Sequence, residues 1–164
     1  MRYYFAYASN IDLAAMRARC PGARVVGVAV LANHRFRIVR SGYASVLRAT
    51  GSRVFGLLWW IRRRDEAALD AYEETGRGLY RRRFLKVVTL DGRPYPALVY
   101  VARGNSPGKP RHGYLEPIIA AARQAHLPAE TIAVIIATAR GFHPLRRRVL
   151  RRNQPARPCV GVTK

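Results

Sequence analysis

Lysine and acidic side chains are scarce in this chain of 164 residues. Of its 30 basic residues only Lys86, Lys109 and Lys164 are lysines, and 9 acidic residues leave a formal net charge of +21. Such an arginine excess neutralises phosphates and is one mark of nucleic-acid binders. The arginines are spread along the chain, however, without a zinc-finger spacing, an aromatic RNA-binding signature or a Gly-x-x-Gly clamp. The sequence therefore predicts only weak, nonspecific nucleic-acid binding.

Cysteine and histidine are also rare. Cys20 and Cys159 stand apart from each other and from any histidine at metal-ligand spacing, which predicts two reduced thiols. No two histidines lie at ligand spacing, so we expect no metal site. The four histidines are His34, His112, His126 and His143.

Long apolar runs are missing as well. No stretch approaches the roughly 20 apolar residues that a membrane helix needs. The N-terminus has the pattern of a strand and not of a cleavable signal peptide. We therefore expect a soluble, cytoplasmic protein without a membrane partner. The oligomeric state stays open, a homodimer included.

What the sequence does contain is strand pattern. Residues 2–7 predict a strand, and Asp12 is placed to cap a short helix that reaches about Cys20. The stretch "ARVVGVAVLANHRFRIVR" predicts a strand bent at Gly27, or two joined strands. "YASVLRAT" and "RVFGLLWWIRR" predict two more, with Ser52 in the turn between them.

The second half predicts helices around a hairpin. "DEAALDAYEE" predicts a helix that Asp65 opens, and "GLYRRRFLKVVTL" and "PYPALVYVA" are joined by an Asp-Gly turn. "YLEPIIAAARQAHL" and "PAETIAVIIATARG" predict two further helices, with prolines in their first turns. The expected fold is α+β: a small mixed, mostly antiparallel β-barrel with a few packed helices. We expect one domain over residues 1–141 and a basic, Pro/Arg-rich tail over residues 142–164. That tail either binds RNA or an acidic surface, or is simply solvated.

The stretch "YYFAYASN", residues 3–10, is the first candidate for function. An apolar, aromatic strand covered on both faces runs directly into Ala8, Ser9 and Asn10, where a helical pattern begins. Backbone N–H groups that turn outward just before a helix can hold a carboxylate. Small side chains at this place leave room for a ligand to approach.

The few acids are clustered, which makes their positions informative. On a helix, Ala68, Leu69 and Tyr72 define the inward, apolar face, and Glu73 lies about 60–80° from its centre, whereas Glu74 points away. If one carboxylate enters an apolar pocket, it is Glu73, whose pKa would rise into the range of a general base. The alternative is a solvated acidic helix end. The five clustered acids are Asp65, Glu66, Asp70, Glu73 and Glu74.

Four blocks in order resemble the γ-glutamylcyclotransferase family. "YFAYASN" is similar to the family's Tyr-Phe-Ala-Tyr-Gly-Ser-Asn signature, and "RVFGLLWWI" to the strand before its catalytic helix. "LDAYEETGRGLYRRRFLKV" resembles the block with the catalytic glutamate, and "SPGKPRHGYLEPIIAAARQAHLP" a late loop and helix. The resemblance covers residues 2 to 139.

The resemblance implies a cofactor-independent acyltransferase or lyase. In that family a γ-glutamyl amide closes on itself to give 5-oxoproline and a free amine or amino acid. The catalytic acid/base falls on Glu73. One position departs from the family pattern, because Ala8 replaces a glycine and would be strained if it required a positive φ. The implied substrate-binding residues are Tyr4, Phe5, Ala6, Tyr7, Ala8, Ser9, Asn10, Tyr80 and Tyr114.

A second function from another class stays open at this point. The domain could be catalytically silent and bind nucleic acid or another polyanion through its arginines. A silent domain has no need of Glu73, which favours the enzyme. The amine attached to the γ-glutamyl group is not fixed by the sequence.

Overall fold

The computed structural model describes residues 2–140, in which five strands form a closed barrel in the order β1-β3-β2-β4-β5. The β1–β5 pair is parallel and the other neighbours are antiparallel. The prediction of a small mixed, mostly antiparallel barrel is confirmed. The strands are β1 Arg2–Ala6, β2 Arg24–Ile38, β3 Ala44–Ile61, β4 Tyr80–Thr89 and β5 Pro94–Ala102.

The described part of the chain has four α-helices outside the barrel: α1 Leu13–Arg19, α2 Arg63–Tyr72, α3 Leu115–Gln124 and α4 Ala129–Ala139. Asp12 caps α1 as expected, since its carboxylate accepts from the N–H groups of Ala14 and Ala15. A 3₁₀ turn at Ser9–Ile11, which the sequence did not predict, joins β1 to this cap. No helix within residues 2–140 is long and apolar enough to cross a membrane.

The prediction of a turn at Ser52 is wrong, because Ser52 lies inside the continuous strand β3. The Gly-Ser signal marks a bulge instead. Gly51 adopts φ +75° opposite Asn33 at φ +56°, and the Asn33 Oδ1 accepts from the Gly51 N–H at 3.1 Å. The pairing register shifts between Ala32 and His34, so β2 and β3 bend together as one long hairpin.

The acidic helix α2 begins two residues before its predicted start at Asp65. Asp65 is its third residue and accepts from the N–H of Arg62 at 2.8 Å, so it completes a cap without being the N-cap. Tyr72 is 44% exposed, so its predicted place on the inward face is wrong, whereas Leu69 is fully buried. Glu73 directly follows the last helical residue.

Close backbone contacts fix the end of the barrel that holds the candidate site. A Cβ on Gly56 would lie 2.2 Å from the carbonyl oxygen of Ala6, so β1 and β3 approach this closely only at a glycine. Residues 103–113 are anchored in a similar way, because a Cβ on Gly108 would lie 2.1 Å from the Val39 carbonyl oxygen. The predicted tail and domain end, His143 and Cys159 lie outside the described residues.

Candidate active site

A cavity of about 300 Å³ opens where β1 passes into the 3₁₀ turn and α2 ends. Within residues 2–140 its charged lining residues are Glu73 and Glu74. The remaining non-tyrosine lining consists of Ala8, Ser9, Asn10, Ala44 and Leu79. Seven tyrosines complete the wall: Tyr4, Tyr7, Tyr43, Tyr72, Tyr80, Tyr100 and Tyr114.

Glu73 sits at the C-terminal end of α2, where its N–H still donates to the carbonyl of Leu69 at 2.9 Å. Its Oε1 accepts a hydrogen bond from the Asn10 side-chain amide at 3.2 Å. Burial raises the pKa of Glu73 to about 7, and the nearby Arg19 charge lowers it less. A carboxyl group that titrates near neutrality can both take and return a proton.

Asn10 holds this carboxylate through a network with only one consistent amide orientation. Its Oδ1 accepts from the Arg19 guanidinium, so its Nδ2 must face the opposite way. That nitrogen donates to the Tyr4 hydroxyl at 2.8 Å and to Glu73. The backbone carbonyl of Asn10 accepts from Trp59 Nε1 at 3.2 Å. With 2% of its surface exposed, Asn10 is a fixed part of the wall.

The Arg19 guanidinium stacks on the aromatic ring of Tyr72. Its guanidinium carbon lies 3.4 Å from the centroid of the exposed Tyr72 ring. A cation over an aromatic face is attracted to it. The Arg19–Tyr72 pair therefore braces the side of the cavity next to Glu73.

The tyrosine wall is fixed by backbone hydrogen bonds. The Tyr7 hydroxyl donates to the Tyr100 carbonyl at 2.6 Å, and the Tyr80 hydroxyl donates to the Ala44 carbonyl at 2.5 Å. Tyr114 accepts from the Ala44 N–H at 3.1 Å. Burial raises the pKa of Tyr114 to about 12. It also raises the pKa values of Tyr4, Tyr7, Tyr80 and Tyr100, so these phenols stay neutral.

Tyr100 connects the cavity to a chain of charges outside it. Its hydroxyl donates to Asp70 Oδ1 at 2.8 Å, and Asp70 is paired with Arg82. Arg82 also lies 3.4 Å from Glu66, which pairs with Arg2 at 2.8 Å. Of the clustered acids, Glu73 therefore lies in the cavity, whereas Asp70 and Glu66 belong to the ion-pair chain that begins at the Tyr100 hydroxyl.

The structure brings most of the predicted site residues to one cavity. Phe5 and Ala6 are the exceptions, because they are buried behind the lining, with Ala6 against Gly56. Ala8 has φ −139°, so its backbone is not in the positive-φ region where an alanine in place of glycine would be strained. The predicted residues on the wall are Tyr4, Tyr7, Ala8, Ser9, Asn10, Glu73, Tyr80 and Tyr114.

Glu74 does not point away from the cavity, as the helix angle predicts. It leaves the helical path at φ +47° and lines the cavity with its side chain exposed. Arg77 lies 3.5 Å from its carboxylate. Glu74 therefore lies at the exposed edge of the cavity, whereas Glu73 is half-buried in its wall.

Besides Glu74, five lining residues were missed by the sequence analysis. They come from four separate parts of the chain, so no local motif unites them. One usable signal was the tyrosine content, since seven of the nine tyrosines converge here. The missed residues are Tyr43, Ala44, Tyr72, Leu79 and Tyr100.

Residues 53–134 match the model of the AIG2-like family, and the chain belongs to that family. The proteins named gamma-glutamylcyclotransferase from Homo sapiens and Mus musculus are each 26% identical over 137 residues, which span 77% of this chain and 73% of theirs. A solved structure titled gamma-glutamyl cyclotransferase superposes with a TM-score of 0.77 at 24% identity, over 83% of this chain and 86% of that one. The resemblance predicted from four sequence blocks is confirmed at the level of a γ-glutamylcyclotransferase-like family.

Proposed function

We propose that this protein is a γ-glutamylcyclotransferase, which converts a γ-glutamyl amide into 5-oxoproline and a free amine or amino acid. The observation that carries the proposal is the Glu73 carboxyl group, with a pKa raised to about 7, held by Asn10 in a cavity of neutral hydroxyls. The names of the human and mouse relatives support the same activity. The alternative of a catalytically silent polyanion binder gives no use to this carboxylate.

The cavity suits a zwitterionic glutamyl group. The N–H groups at the start of the Ser9–Ile11 turn have no partner within the turn, so they are suited to receive the α-carboxylate. The substrate's α-ammonium group would then face Glu73. Tyrosine hydroxyls supply uncharged donors and acceptors, which orient a polar substrate without competing for its charges.

The reaction is an intramolecular substitution that needs no cofactor. Glu73 takes a proton from the α-ammonium group, and the freed amine attacks the γ-carbonyl carbon to form the C–N bond of a five-membered lactam. The bond from that carbon to the leaving nitrogen then breaks. Two protons leave the attacking nitrogen and two reach the leaving nitrogen when it departs as an ammonium group, so the ionisation of Glu73 is restored.

Positioning supplies much of the rate in such a ring closure, because nucleophile and electrophile belong to one molecule. A rigid wall that holds the substrate in its reactive conformer can lower the activation free energy by roughly several kcal/mol, as the effective molarities of intramolecular reactions indicate. The backbone hydrogen bonds of Tyr7, Tyr80 and Tyr114 give this wall its rigidity.

The direct experiment is a 5-oxoproline assay with a panel of γ-glutamyl compounds. The panel contains γ-glutamyl amino acids, glutathione, a γ-glutamyl lysine side-chain amide and simple γ-glutamyl amines. Catalysed release of 5-oxoproline from at least one of them is expected. If all of them stay intact with folded protein, the proposal is contradicted.

A further inference from the structure

A second cavity, of about 340 Å³, lies between α4 and the bent part of the β2–β3 hairpin. Phe36, Val54, Phe55, Val134 and Ile135 give it a largely apolar wall. Its volume is within the range of small-molecule sites in proteins. Tyr7 is the residue that lines both this cavity and the one with Glu73.

One arginine of this cavity has no ion-pair partner within residues 2–140. Arg35 lines it, and the Arg35 Nε is buried without a hydrogen-bond partner in the part of the chain that the structure describes. Arg37, two residues along the same face of β2, has the same unpartnered, buried Nε. A buried donor that lacks an acceptor costs free energy, and a bound anion removes that cost.

The other charges at the cavity are already paired. Arg53 binds Glu130 at 3.0 Å, and its guanidinium lies 5.4 Å from the Phe55 ring centroid. Among the described residues Glu130 forms its ion pair with Arg53 and none with Arg35. Burial lowers the pKa of Arg37, and the like charge of Arg35 lowers it in the same direction.

We propose that this cavity binds an amphipathic carboxylate, whose headgroup pairs with Arg35 and whose short apolar chain lies between β3 and α4. The planar guanidinium fork matches a carboxylate, and charge-assisted hydrogen bonds are strongest where water is excluded. Phe36, Val54 and Ile135 provide the surface for the apolar part. The proposal does not depend on the reaction at Glu73.

Isothermal titration calorimetry of the full-length protein with octanoate tests this assignment. Octanoate is expected to bind at one saturable site, and octylamine, with the same chain and the opposite charge, is expected not to bind. Arg35→Gln should weaken octanoate binding by about tenfold or more, because it removes a hydrogen-bonded charge pair. The matched control is Arg48→Gln, an exposed arginine of the same hairpin that does not line the cavity, which should keep the affinity within about twofold.

A cavity-filling variant separates the cavity from general attraction to a basic protein. Val134→Phe should abolish octanoate binding, with circular dichroism and a thermal melt to show that the variant is folded. The proposal is overturned if octanoate shows no saturable binding. It is equally overturned if Arg35→Gln and Arg48→Gln weaken binding alike, or if folded Val134→Phe binds as the parent does.

Discussion

The side-chain amide of Asn10 donates to the carboxylate of Glu73 at 3.2 Å, across 63 residues of sequence. The barrel makes this contact possible, because β1 leads into the turn that holds Asn10 and β3 leads into α2, which Glu73 directly follows. The Arg19 guanidinium donates to the oxygen of the same amide, so the orientation of Asn10 is fixed before a substrate binds.

Asn10→Ala should therefore damage the site and the fold together. Tyr4, Arg19 and Glu73 each lose a partner, and leaving buried polar groups unpaired costs about 1–3 kcal/mol of unfolding free energy. Urea denaturation and 5-oxoproline release measure the two effects. Asn105→Ala in the exposed loop is the control, and it should change neither. An Asn10→Ala protein with full activity would show that the amide does not position Glu73.

The activity should rise with pH through about pH 7. Burial raises the pKa of Glu73 to about 7, and only the deprotonated carboxylate can take the substrate's proton. A plot of kcat/KM against pH should therefore show an ascending limb near neutrality. A limb centred near pH 4.5, the ordinary value for glutamate, would mean that Glu73 is not the titrating base.

The same shift makes a separate prediction about stability. The folded protein holds the Glu73 proton more tightly than the unfolded chain does, so stability is lost as pH rises from about 4.5 to about 7. Glu73→Gln has no such ionisation. Relative to the parent it should gain unfolding free energy across this window and keep the gain above pH 7. Urea melts of both proteins at pH 4 and pH 8 measure the difference, and equal offsets at the two pH values would contradict it.

Ala8→Gly should keep the activity. Ala8 has a negative φ, so glycine is not required there, and the smaller residue only widens the cavity edge. Greater freedom of the unfolded chain should reduce stability by about 0.4–1 kcal/mol. Steady-state kinetics and a denaturant melt check both statements. A folded but inactive Ala8→Gly protein would show that the Ala8 methyl group contacts the substrate.

The residues that sequence reasoning located are those whose local pattern carries the information. The continuous apolar run of β1, the Asp12 cap and the Asp-Gly hairpin are local, and they were predicted. The Gly51-Ser52 bulge was predicted as a turn, because glycine at positive φ is common in both turns and bulges. Only the contact of Gly51 with Asn33 on the neighbouring strand distinguishes the two.

For the candidate site, local sequence pattern predicted only some of the residues that line the cavity. Glu73 and the β1 loop were found through helix geometry and the family resemblance. Tyr43 and Tyr100 were not, because their approach to Glu73 depends on closure of the barrel, and closure is set by strand pairings far apart in sequence. The error at Glu74 arose because α2 ends at Tyr72, so the regular angle per residue does not apply to Glu74.

Any nucleic-acid binding should be nonspecific and sensitive to salt. The net charge of +21 comes without a base-reading motif, and neutralising several phosphates makes affinity fall by orders of magnitude between about 50 and 200 mM salt. Fluorescence anisotropy with unrelated oligonucleotides at both salt concentrations measures this. Tight, sequence-dependent binding at the higher salt would favour the polyanion-binding function.

The most direct measurement of the central claim is the rate of 5-oxoproline release by Glu73→Gln. Glutamine has the shape of a protonated glutamate and preserves the contact with Asn10, but it cannot exchange a proton, so the rate should fall by about 10²–10⁴. Glu116→Gln, exposed on α3 and outside the cavity, should retain the parent rate, and Glu74→Gln should retain most of it. A folded Glu73→Gln protein that keeps more than about a tenth of the parent rate, far short of that loss, would contradict the account. Loss of activity in Glu74→Gln instead would move the acid/base to the neighbouring carboxylate.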